Sequence, residues 1–502
     1  LFHERALPDL GSNIKCGNSL IGPDFYEGQQ TSFLDEEEMY RVNVFDWNAE
    51  FSEIMGAGGF DAVIGNPPYV RQESLIYLKP YFEKRFSVYN GVADLYVYFI
   101  EKGVSLLKQE GFFSYIAGNK WLRANYGKSL RQWMKQQHIV KIIDFCDLPV
   151  FKQATTYPCI IVVQKKGPGQ TFRAVTMKTP DYGDLQEYVI KHCYDVRQDA
   201  LEDSGWSLVN QRTQDVLDKL RKTGVPLEEY VGGKIYRGVL TGFNKAFVID
   251  EATRKKLIAD DPKSSEIIKP FLAGKDIKRY QPVTSKKYVI FTRRGVQIEK
   301  YAAIRSYLAQ FKERLMPRPK DWKGKKWKGR KPGSYQWYEI QDAVDYYAEF
   351  EKHKILWPGI SAEVASFALD RSGYFGNDNN QIIVSSDKYL LGVLNSKNMR
   401  FLLSHICDKV QGGFYRLKIS YIQQVPIRTI NFDDPTDVAR HNQIVSLVEQ
   451  MLDLNKQLAE AKVPQTKTVL QRQIETTDRQ IDRLVYELYE LTEDEIKIVE
   501  ES

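Results

Sequence analysis

The chain has 502 residues, enough for roughly two to four domains that each bury a hydrophobic core. Its 43% hydrophobic and 27% charged residues are those of an ordinary globular protein, and no apolar run is long enough to span a membrane. Five cysteines without a CxxC pair and six dispersed histidines argue against a zinc site or another metal centre and predict a reducing, cytoplasmic setting. The net charge of +6 is small, so any nucleic-acid signal must be local.

The first part of the chain alternates apolar runs with amphipathic stretches, which predicts an α/β sheet domain over residues 1–166. Its last apolar run is followed by a Gly-Pro-Gly turn and is predicted to be the final strand of the sheet. A connector is expected over residues 167–204. The predicted strands are 61–64, 111–117, 141–145 and 157–166, and the predicted helices are 94–108 and 127–137.

Two further regions follow the connector. Residues 205–430 are dense in Tyr, Trp, Lys and Arg, with short strands punctuated by glycine, which predicts a mixed α/β domain. Residues 436–502 repeat apolar side chains at steps of three and four, and Pro464 interrupts this pattern, which predicts an antiparallel helical hairpin.

The residue types that carry chemistry are concentrated in the segment FDAVIGNPPYV, residues 60–70. A buried strand is predicted there, followed directly by Asn66, Pro67, Pro68 and Tyr69. Each proline fixes its own φ and keeps the preceding residue out of the helical region, so the loop is stiff and extended. Open α/β sheets bind ligands at the carboxyl ends of their strands, which is where this loop begins.

These residues suit methyl transfer to an exocyclic amino group. The side-chain oxygen of Asn66 and the backbone oxygen of Pro67 are expected to accept both N–H bonds of an adenine N6, which turns the nitrogen lone pair towards an incoming methyl group. Tyr69 offers a flat face on which a base swung out of the duplex stacks. Asn and Pro also favour ordinary turns, but the position after a buried strand favours the catalytic interpretation for Asn66, Pro67, Pro68 and Tyr69.

The segment is similar to motif IV of the amino-methyltransferases, (D/N/S)PP(Y/F/W). The strings around it resemble the type II enzymes that carry methyltransferase, DNA-specificity and often nuclease functions in one polypeptide. This resemblance implies transfer of a methyl group from S-adenosylmethionine to adenine N6 at specific sites in double-stranded DNA, within a restriction–modification system. It also implies the C-terminal part of a Rossmann-like class I methyltransferase domain, then a mixed α/β target-recognition domain and a helical hairpin.

The resemblance also implies cofactor-binding and base-stacking roles for further residues of the first domain. Asn18, in NIKCGNSLIG, stands where many relatives have an Asp that contacts the adenine moiety of S-adenosylmethionine. Asp94 and Leu95 match a motif that lines the cofactor pocket, although Asp94 also suits a plain helix N-cap. Phe151 matches the aromatic residue of motif VIII that stacks, with Tyr69, on the flipped adenine; a core phenylalanine is the alternative.

Strings between residues 236 and 427 resemble the target-recognition domain of the TaqI-like class, among them YRGVLTGFNKAFVID and QGGFYRLKISYIQQVPI. The glycine-rich cofactor-binding turn of these enzymes does not occur here, because the glycines at 56–59 directly precede the motif IV strand instead of opening a helix. We therefore expect the chain to begin partway through the catalytic domain, with binding of S-adenosylmethionine incomplete and any nuclease encoded upstream.

The physical case for DNA lies in residues 311–337, where Lys and Arg far outnumber Asp and Glu and two tryptophans interleave with the charge. Such a segment neutralises phosphates, although a solvated basic loop is the alternative. A second basic cluster and a polar turn lie nearby in the sequence. The predicted DNA-binding residues are Asn244, Lys245, Lys275, Lys278, Arg279, Trp322, Lys323, Lys325, Lys326, Trp327, Lys328, Arg330 and Lys331.

Two other functions use parts of the same pattern. A non-catalytic DNA-specificity module needs the basic, aromatic half of the chain but leaves the NPPY segment without a purpose. Protein-glutamine and RNA methyltransferases also use NPPY, and the large basic half argues against them. The recognised DNA sequence does not follow from composition.

Overall fold

The structure, a computed structural model, describes residues 11–27, 36–151, 156–203, 205–324, 326–410 and 413–501. The chain divides into two compact units, residues 1–211 and residues 212–502. Helices and strands occur in both units, and long helices follow at the end, which confirms the predicted mixed α/β fold with a helical C-terminal region. None of the described helices is long and apolar enough to cross a membrane.

The first unit is built on one six-stranded sheet. Its strands are β1 (Phe60–Gly65), β2 (Leu107–Gly118), β3 (His138–Asp144), β4 (Pro158–Gln164), β5 (Thr171–Thr176) and β6 (Tyr194–Arg197). The order is β1-β2-β4-β3-β5-β6, with β1 parallel to β2, β3 parallel to β5, and β4 antiparallel to β2 and β3. Since β2 and β3 are both antiparallel to β4, they run in the same direction as each other and as β1. The carboxyl ends of β1, β2 and β3 therefore lie on the same side of the sheet, where open α/β sheets bind ligands.

The prediction that the sheet ends with the strand at 157–166 is wrong. β5 pairs with β3 and β6 pairs with β5, so two strands lie inside the stretch 167–204 that was expected to be a connector. Phe172, Ala174 and Val175 of β5 are buried. A strand this short depends on its tertiary partners, and a sequence pattern does not show which apolar residues find them.

Short helices accompany this sheet. They are α1 (Glu36–Val42), α2 (Trp47–Glu50), α3 (Ser52–Gly56), α4 (Lys79–Arg85), α5 (Tyr96–Ser105), α6 (Lys128–Met134) and α7 (Leu185–His192). α5 packs on β2, where a methyl group at Gly103 would lie 2.6 Å from the ring of Phe113, so the glycine permits the close approach. At the edge of the sheet, Ile64 is 83% exposed, and no described strand pairs with the outer side of β1.

The second unit contains several smaller sheets. Its strands are β7 (Val225–Pro226), β8 (Ile235–Arg237), β9 (Val248–Asp250), β10 (Ile268–Leu272), β11 (Lys287–Ile290), β12 (Lys354–Pro358), β13 (Ile360–Ser361), β14 (Ala368–Asp370), β15 (Phe375–Gly376), β16 (Asn380–Ile383), β17 (Asp408–Val410), β18 (Phe414–Arg416) and β19 (Pro426–Ile427). They form sheets of order β15-β10-β11-β9, β14-β12-β16-β8, β13-β18-β17 and β19-β7.

Helices surround these sheets and form the end of the chain. They are α8 (Gln211–Thr223), α9 (Leu227–Tyr230), α10 (Asn244–Phe247), α11 (Glu251–Asp260), α12 (Ala302–Ala309), α13 (Lys312–Leu315), α14 (Lys388–Asn395), α15 (Lys397–Ile406), α16 (Ile419–Ile422), α17 (Pro435–Glu460), α18 (Pro464–Leu488) and α19 (Glu493–Glu500).

The two four-stranded sheets share one hydrophobic core. Phe271 and Phe375 from one sheet and Leu356 from the other are buried in it together. Lys354, at the start of β12, is fully buried with its amine 2.5 Å from the carboxylate of Asp370. Burial lowers the pKa of Lys354, and the carboxylate partly offsets this effect. Removing either partner alone would leave an uncompensated buried charge.

The predicted helical hairpin is formed by α17 and α18, and it packs against other elements of residues 212–502. A methyl group at Gly392 of α14 would lie 2.9 Å from Val448 and 3.0 Å from Ile444 of α17, so the glycine lets the helices approach closely. Arg279 donates to both carboxylate oxygens of Asp478 on α18, at 2.8 and 2.5 Å. The hairpin is therefore part of the second unit's own packing.

A buried carboxyl group lies at this junction. Asp482 of α18 is buried near Asp478, with the guanidinium groups of Arg279 and Arg400 close by. One carboxylate oxygen accepts a hydrogen bond from the Lys397 N–H, 2.8 Å away, and the other has no partner among the described residues. Burial raises the pKa of Asp482 from 3.8 to about 6.

We therefore predict that Asp482→Asn stabilises the protein at neutral and alkaline pH. A carboxyl group whose pKa is higher in the folded than in the unfolded state costs no stability below about pH 4, and the cost reaches roughly 2–3 kcal/mol above about pH 6. Calorimetry should show a higher melting temperature for the variant at about pH 8 and no gain at about pH 4. Asp478→Asn, which breaks the pair with Arg279, is the control and should lower the melting temperature. Equal stability of Asp482→Asn and wild type at about pH 8 would contradict the account.

Candidate functional site

Residues 66–70, which include those that the sequence predicts to be catalytic and which are called the catalytic loop after that prediction, leave the sheet at the carboxyl end of β1. Asn66 and Pro68 are exposed, whereas Pro67 is buried between them. Neither the side chain of Asn66 nor the carbonyl of Pro67 accepts a hydrogen bond from a described residue. Two hydrogen-bond acceptors on adjacent residues of a stiff backbone are therefore without internal partners.

Two aromatic residues that the sequence assigns to the same base lie together beside this loop. The ring centroids of Tyr69 and Phe151 are 6.5 Å apart at an interplanar angle of 67°. The Tyr69 hydroxyl lies 3.5 Å from the carbonyl of Ile116, a long and weak hydrogen bond. Burial raises the pKa of Tyr69 to about 12, so its hydroxyl stays protonated at neutral pH. The half-buried rings form an aromatic recess at the carboxyl edge of the sheet.

A cavity of about 320 Å³ lies next to the catalytic loop. It brings together Asn18, Pro68 and Leu95, which the sequence assigns to one site from three separate segments. The remaining lining is mostly apolar and aromatic, and includes Leu20, Val70, Tyr77, Leu78, Phe82 and Phe99. Such walls suit a flat, weakly polar ring.

Asn18 is fixed by its own turn. Its Oδ1 accepts a hydrogen bond from the Leu20 N–H at 3.3 Å, and its backbone N–H donates to the carbonyl of Asn43 at 2.6 Å. The carboxamide nitrogen has no partner within the described part of the chain. Asn18 therefore offers an N–H donor where an Asp would offer only acceptors.

Leu95 and Asp94 are neighbours with different roles. The Leu95 N–H donates to the carbonyl of Val70, 3.0 Å away, which ties the start of α5 to the catalytic loop. Asp94 does not line the cavity; its carboxylate is half-buried and lies near the backbone of Gln72. It does not cap α5 either, since that helix has no side-chain cap. Burial raises the pKa of Asp94.

Sequence reasoning does not single out a polar clamp that joins the ends of β2 and β3. Asn119 Nδ2 donates to Asp144 Oδ1 at 2.7 Å and to the carbonyl of Cys146 at 3.1 Å. Asp144 is buried and also accepts the Cys146 N–H at 2.9 Å. The clamp fixes the start of the loop that carries Phe151. The only sequence signal is that Asn119, like Asn66, directly follows a strand.

In the second unit, several loops meet at one edge of the β14-β12-β16-β8 sheet. This side of the sheet, here called the Pro358 edge, is where β8 and β12 end and β16 begins. The residues there are Arg237, Pro358 and Asn380. The Gly238 N–H donates to the carbonyl of Asn380 at 2.7 Å, and Asn380 Nδ2 donates to the carbonyl of Leu272 at 3.0 Å. The loops after β8 and β10 are therefore fastened to the Pro358 edge.

Several residues predicted to bind DNA are exposed on these loops. Lys275 follows β10, and Asn244 and Lys245 follow β8. The Thr241 hydroxyl donates to Asn244 Oδ1 at 2.6 Å, which fixes the Asn244 carboxamide. The exposed lysines of the segment 311–337 include Lys323, Lys326, Lys328 and Lys331.

The two tryptophans of the basic segment contact each other. The rings of Trp322 and Trp327 are 5.0 Å apart at 68°. Trp327 Nε1 donates to the carbonyl of Met316 at 3.1 Å, whereas Trp322 is exposed. Lys328 pairs with Glu313 at 3.1 Å, and both side chains are largely in solvent, so this pair contributes little to stability.

The structure contradicts the assignment of Arg330 to the DNA surface. Arg330 is 4% exposed, and its charge lies 4.4 Å from the ring centroid of Tyr335. Burial lowers the pKa of Arg330 to about 10, so it stays charged at neutral pH. Its guanidinium donates at 2.7–3.2 Å to the backbone carbonyls of Thr241, Leu315, Gln336, Trp337 and Glu339. Arg330 therefore fastens the basic segment to the loop after β8.

Arg279 is also withdrawn from the surface, contrary to its predicted contact with DNA. Besides Asp478, it binds the carbonyl of Asn395 through Nε at 3.1 Å and Nη2 at 2.7 Å. Its guanidinium is thus occupied in holding α14 and α18 together. The neighbouring Lys278 is exposed. Lys325 lies outside the described residues.

Known families match both parts of the chain. Residues 5–151 match the family described as Eco57I restriction-modification methylase. Residues 269–427 match the family described as TaqI-like C-terminal specificity domain. The first match includes the catalytic loop and the residues around the cavity, and the second includes the basic segment and β12. The family resemblance predicted from the sequence is confirmed.

Individual relatives share low sequence identity with this chain, but their matches extend over most of it. The type II restriction enzyme and methyltransferase RM.Eco57I of Escherichia coli is 25% identical over 99% of this chain and 51% of the relative, so the chain spans about half of that protein's length. The type II methyltransferase M.PaeR7I of Pseudomonas aeruginosa is 28% identical over 74% of this chain and 65% of the relative. The type IIL restriction-modification enzyme MmeI, solved in complex with DNA, has a TM-score of 0.60 at 13% identity over 90% of this chain and 57% of that chain, which shows a shared fold.

We predict that Arg330→Met destabilises the second unit. Removing the guanidinium leaves buried carbonyls without a donor, and each unsatisfied group costs about 1–3 kcal/mol before the structure relaxes. The free energy of unfolding in urea should therefore fall by several kcal/mol. Lys331→Ala, which removes the exposed neighbouring charge, is the control and should change it by less than about 0.5 kcal/mol. If Arg330→Met unfolds at the same urea concentration as the wild type, Arg330 does not fasten these loops.

Proposed function

Because the chain joins an Eco57I-like restriction–modification methylase domain to a TaqI-like specificity domain, we propose that it methylates adenine N6 at specific sites in double-stranded DNA, with S-adenosylmethionine as the methyl donor. One observation carries the proposal: Asn66 and the Pro67 carbonyl present two unengaged acceptors beside an aromatic recess and a cavity. Its relatives include type II methyltransferases of restriction–modification systems.

The two acceptors address the main obstacle to the reaction. The lone pair of an adenine N6 is delocalised into the ring, so the nitrogen is a poor nucleophile. Hydrogen bonds from both N–H groups to Asn66 Oδ1 and the Pro67 carbonyl turn the lone pair out of the ring plane and towards the methyl group. As the nitrogen–carbon bond forms and the carbon–sulfur bond of the methyl donor breaks, leaving a neutral thioether, the nitrogen gains positive charge, which the two oxygens would stabilise before a proton leaves to solvent. No side chain has to act as a strong base.

Tyr69 and Phe151 are proposed to hold the base outside the duplex. An adenine inside the stack is out of reach of any active-site group, so the target nucleotide must rotate into the site. Two aromatic rings 6.5 Å apart provide faces and edges against which it packs. Burial raises the pKa of Tyr69 to about 12, so its phenol is neutral, and because its hydroxyl makes only a 3.5 Å contact with the carbonyl of Ile116, the ring is proposed to be the functional part.

The cavity residues fit the purine end of S-adenosylmethionine. Aromatic and apolar walls suit the adenine ring, and the free N–H of Asn18 suits one of its ring nitrogens. No carboxylate is among the described residues that line the cavity, so the cavity itself offers no acidic partner for the ribose hydroxyls. When bound, the cofactor supplies an electrophilic methyl group.

The second unit is proposed to hold the duplex. Lys275, Lys245 and Asn244 are exposed near the Pro358 edge, and the basic segment is fastened to the same loops by Arg330. Flexible lysines suit phosphates, which position a protein on DNA without selecting a sequence. MmeI, which shares the fold, was solved with DNA.

We expect Asn66→Ala, made in the complete enzyme, to lower the single-turnover rate of methyl transfer to duplex DNA by about 10²–10³-fold while duplex affinity is retained. Asn66→Asp keeps an acceptor and should lose less. Tyr69→Ala should also lose methyl transfer, whereas Tyr69→Phe should stay close to the wild type, because the hydroxyl makes only a 3.5 Å contact. Labelled S-adenosylmethionine measures the rate, and fluorescence anisotropy measures binding.

The alternatives give different results in the same experiment. A normal rate for Asn66→Ala would mean that the catalytic assignment is wrong. Faster methylation of RNA or of a glutamine-containing protein than of duplex DNA would replace the proposed substrate. Duplex binding by a complete wild-type enzyme that transfers no methyl group would favour a non-catalytic specificity module.

A further inference from the structure

A small sheet at the Pro358 edge has no role in the function proposed so far. It consists of β13, β18 and β17, and the last two strands form what is here called the β17–β18 hairpin. The Leu417 N–H, just after β18, donates to the carbonyl of Gly359 at 2.8 Å. Trp357 Nε1 donates to the carbonyl of Leu417 at 3.0 Å, and the indole is buried. The β17–β18 hairpin therefore starts from a rigid base at the Pro358 edge.

One face of the hairpin carries apolar and cationic side chains into solvent. The strand register pairs Val410 with Phe414, and it pairs both Ile360 and Asp408 with Arg416, so these side chains share a face. Phe414 is 42% exposed and Ile360 is 45% exposed. Arg416 is exposed as well, and its guanidinium forms no ion pair with any residue that the structure describes.

The charge on the hairpin is positive. The amine of Lys418 pairs with Asp408 at 3.2 Å, which neutralises the acid on this face. Lys409 extends over the ring of Tyr415, 5.3 Å from its centroid, and is exposed. Arg416 and Lys409 therefore remain as cations without acidic partners in the described structure.

We infer that the β17–β18 hairpin is a second DNA-contacting element, with Arg416 and Phe414 at the contact. The inference rests on the proposed function, since it adds a surface for the same duplex. The major groove of B-DNA, about 12 Å wide, admits a two-stranded antiparallel ribbon. An arginine on such a ribbon binds a phosphate or the edge of a guanine, and a phenylalanine packs on a thymine methyl group.

The position of the hairpin favours DNA over a protein partner. Exposed Phe414 and Ile360 taken alone would suit either partner. The Pro358 edge, however, also holds the loops with Asn244 and Lys275, so the hairpin continues a surface of cations and hydrogen-bonding groups. Arg416 and the exposed ring of Phe414 share one face of the hairpin, and Lys409 lies on the other. Exposed cations beside an exposed aromatic ring are typical of a surface that binds nucleic acid.

The test uses three variants of the complete protein: Arg416→Ala, Phe414→Ala and Arg371→Ala. Arg371 is the matched control, an exposed arginine directly after β14 at the opposite edge of the same four-stranded sheet. We expect Arg416→Ala to weaken duplex binding about 10-fold and Arg371→Ala to leave it unchanged. If Arg416 contacts a phosphate, its removal also flattens the slope of log affinity against log salt by about 0.9, whereas loss of a base contact weakens binding to the recognised sequence only.

Arg416→Lys and Phe414→Leu guard against a trivial loss of folding, because they keep the charge or the apolar volume. Circular dichroism melting must match the wild type in each variant that is scored. Wild-type duplex affinity for both Arg416→Ala and Phe414→Ala would overturn the inference, and so would a change in self-association without a change in duplex affinity. Failure of the wild-type enzyme to bind duplex DNA would instead overturn the proposed function itself.

Discussion

Two consecutive prolines fix the backbone where β1 leaves the sheet, and the first unit is arranged around that rigid turn. The prolines fix the backbone of the loop and donate no hydrogen bonds themselves, and the acceptors of Asn66 and Pro67 have no partners among the described residues. The neighbouring elements are then attached to the loop. Leu95 binds the carbonyl of Val70, which brings α5 and the cavity to it. The Asn119 clamp holds the end of β3, from which the chain reaches the aromatic recess.

The second unit depends on two arginines whose guanidinium groups bind within the fold, Arg330, which is buried, and Arg279, which is partly exposed. They donate to backbone carbonyls and, in the case of Arg279, to the half-buried carboxylate of Asp478, which fastens the loops that carry those carbonyls. Arg131 does the same in the first unit, where it binds the carbonyls of Trp121 and Asp203. A planar guanidinium with five donors suits this task better than an ammonium group. The cations left exposed for a polyanion are many lysines together with arginines such as Arg318 in the basic segment and Arg416.

Many of the strands and helices can be predicted from the local pattern of apolar and polar residues in the sequence. The strand before Asn66, the strands at β2 and β3 and the long helices α17 and α18 follow from apolar periodicity, and the family resemblance supplies the order of domains. This sequence pattern does not predict elements or side-chain positions that depend on tertiary contacts. β5 is a strand only because β3 lies beside it. In the sequence Arg330 resembles any other cation of the basic segment, because its burial depends on how the chain on either side of it folds back and on the distant carbonyl of Thr241. The gathering of loops at the Pro358 edge depends on strand pairing, which composition does not reveal.

The identity of the methylated atom tests the central claim most directly. DNA isolated from cells that express the complete protein, or the same protein with Asn66→Ala, can be digested to nucleosides and analysed by mass spectrometry. The account predicts N6-methyladenine in DNA exposed to the wild-type protein and none above background with the variant. Methyl groups found on cytosine, on RNA or on protein, or N6-methyladenine at equal levels with both proteins, would contradict it.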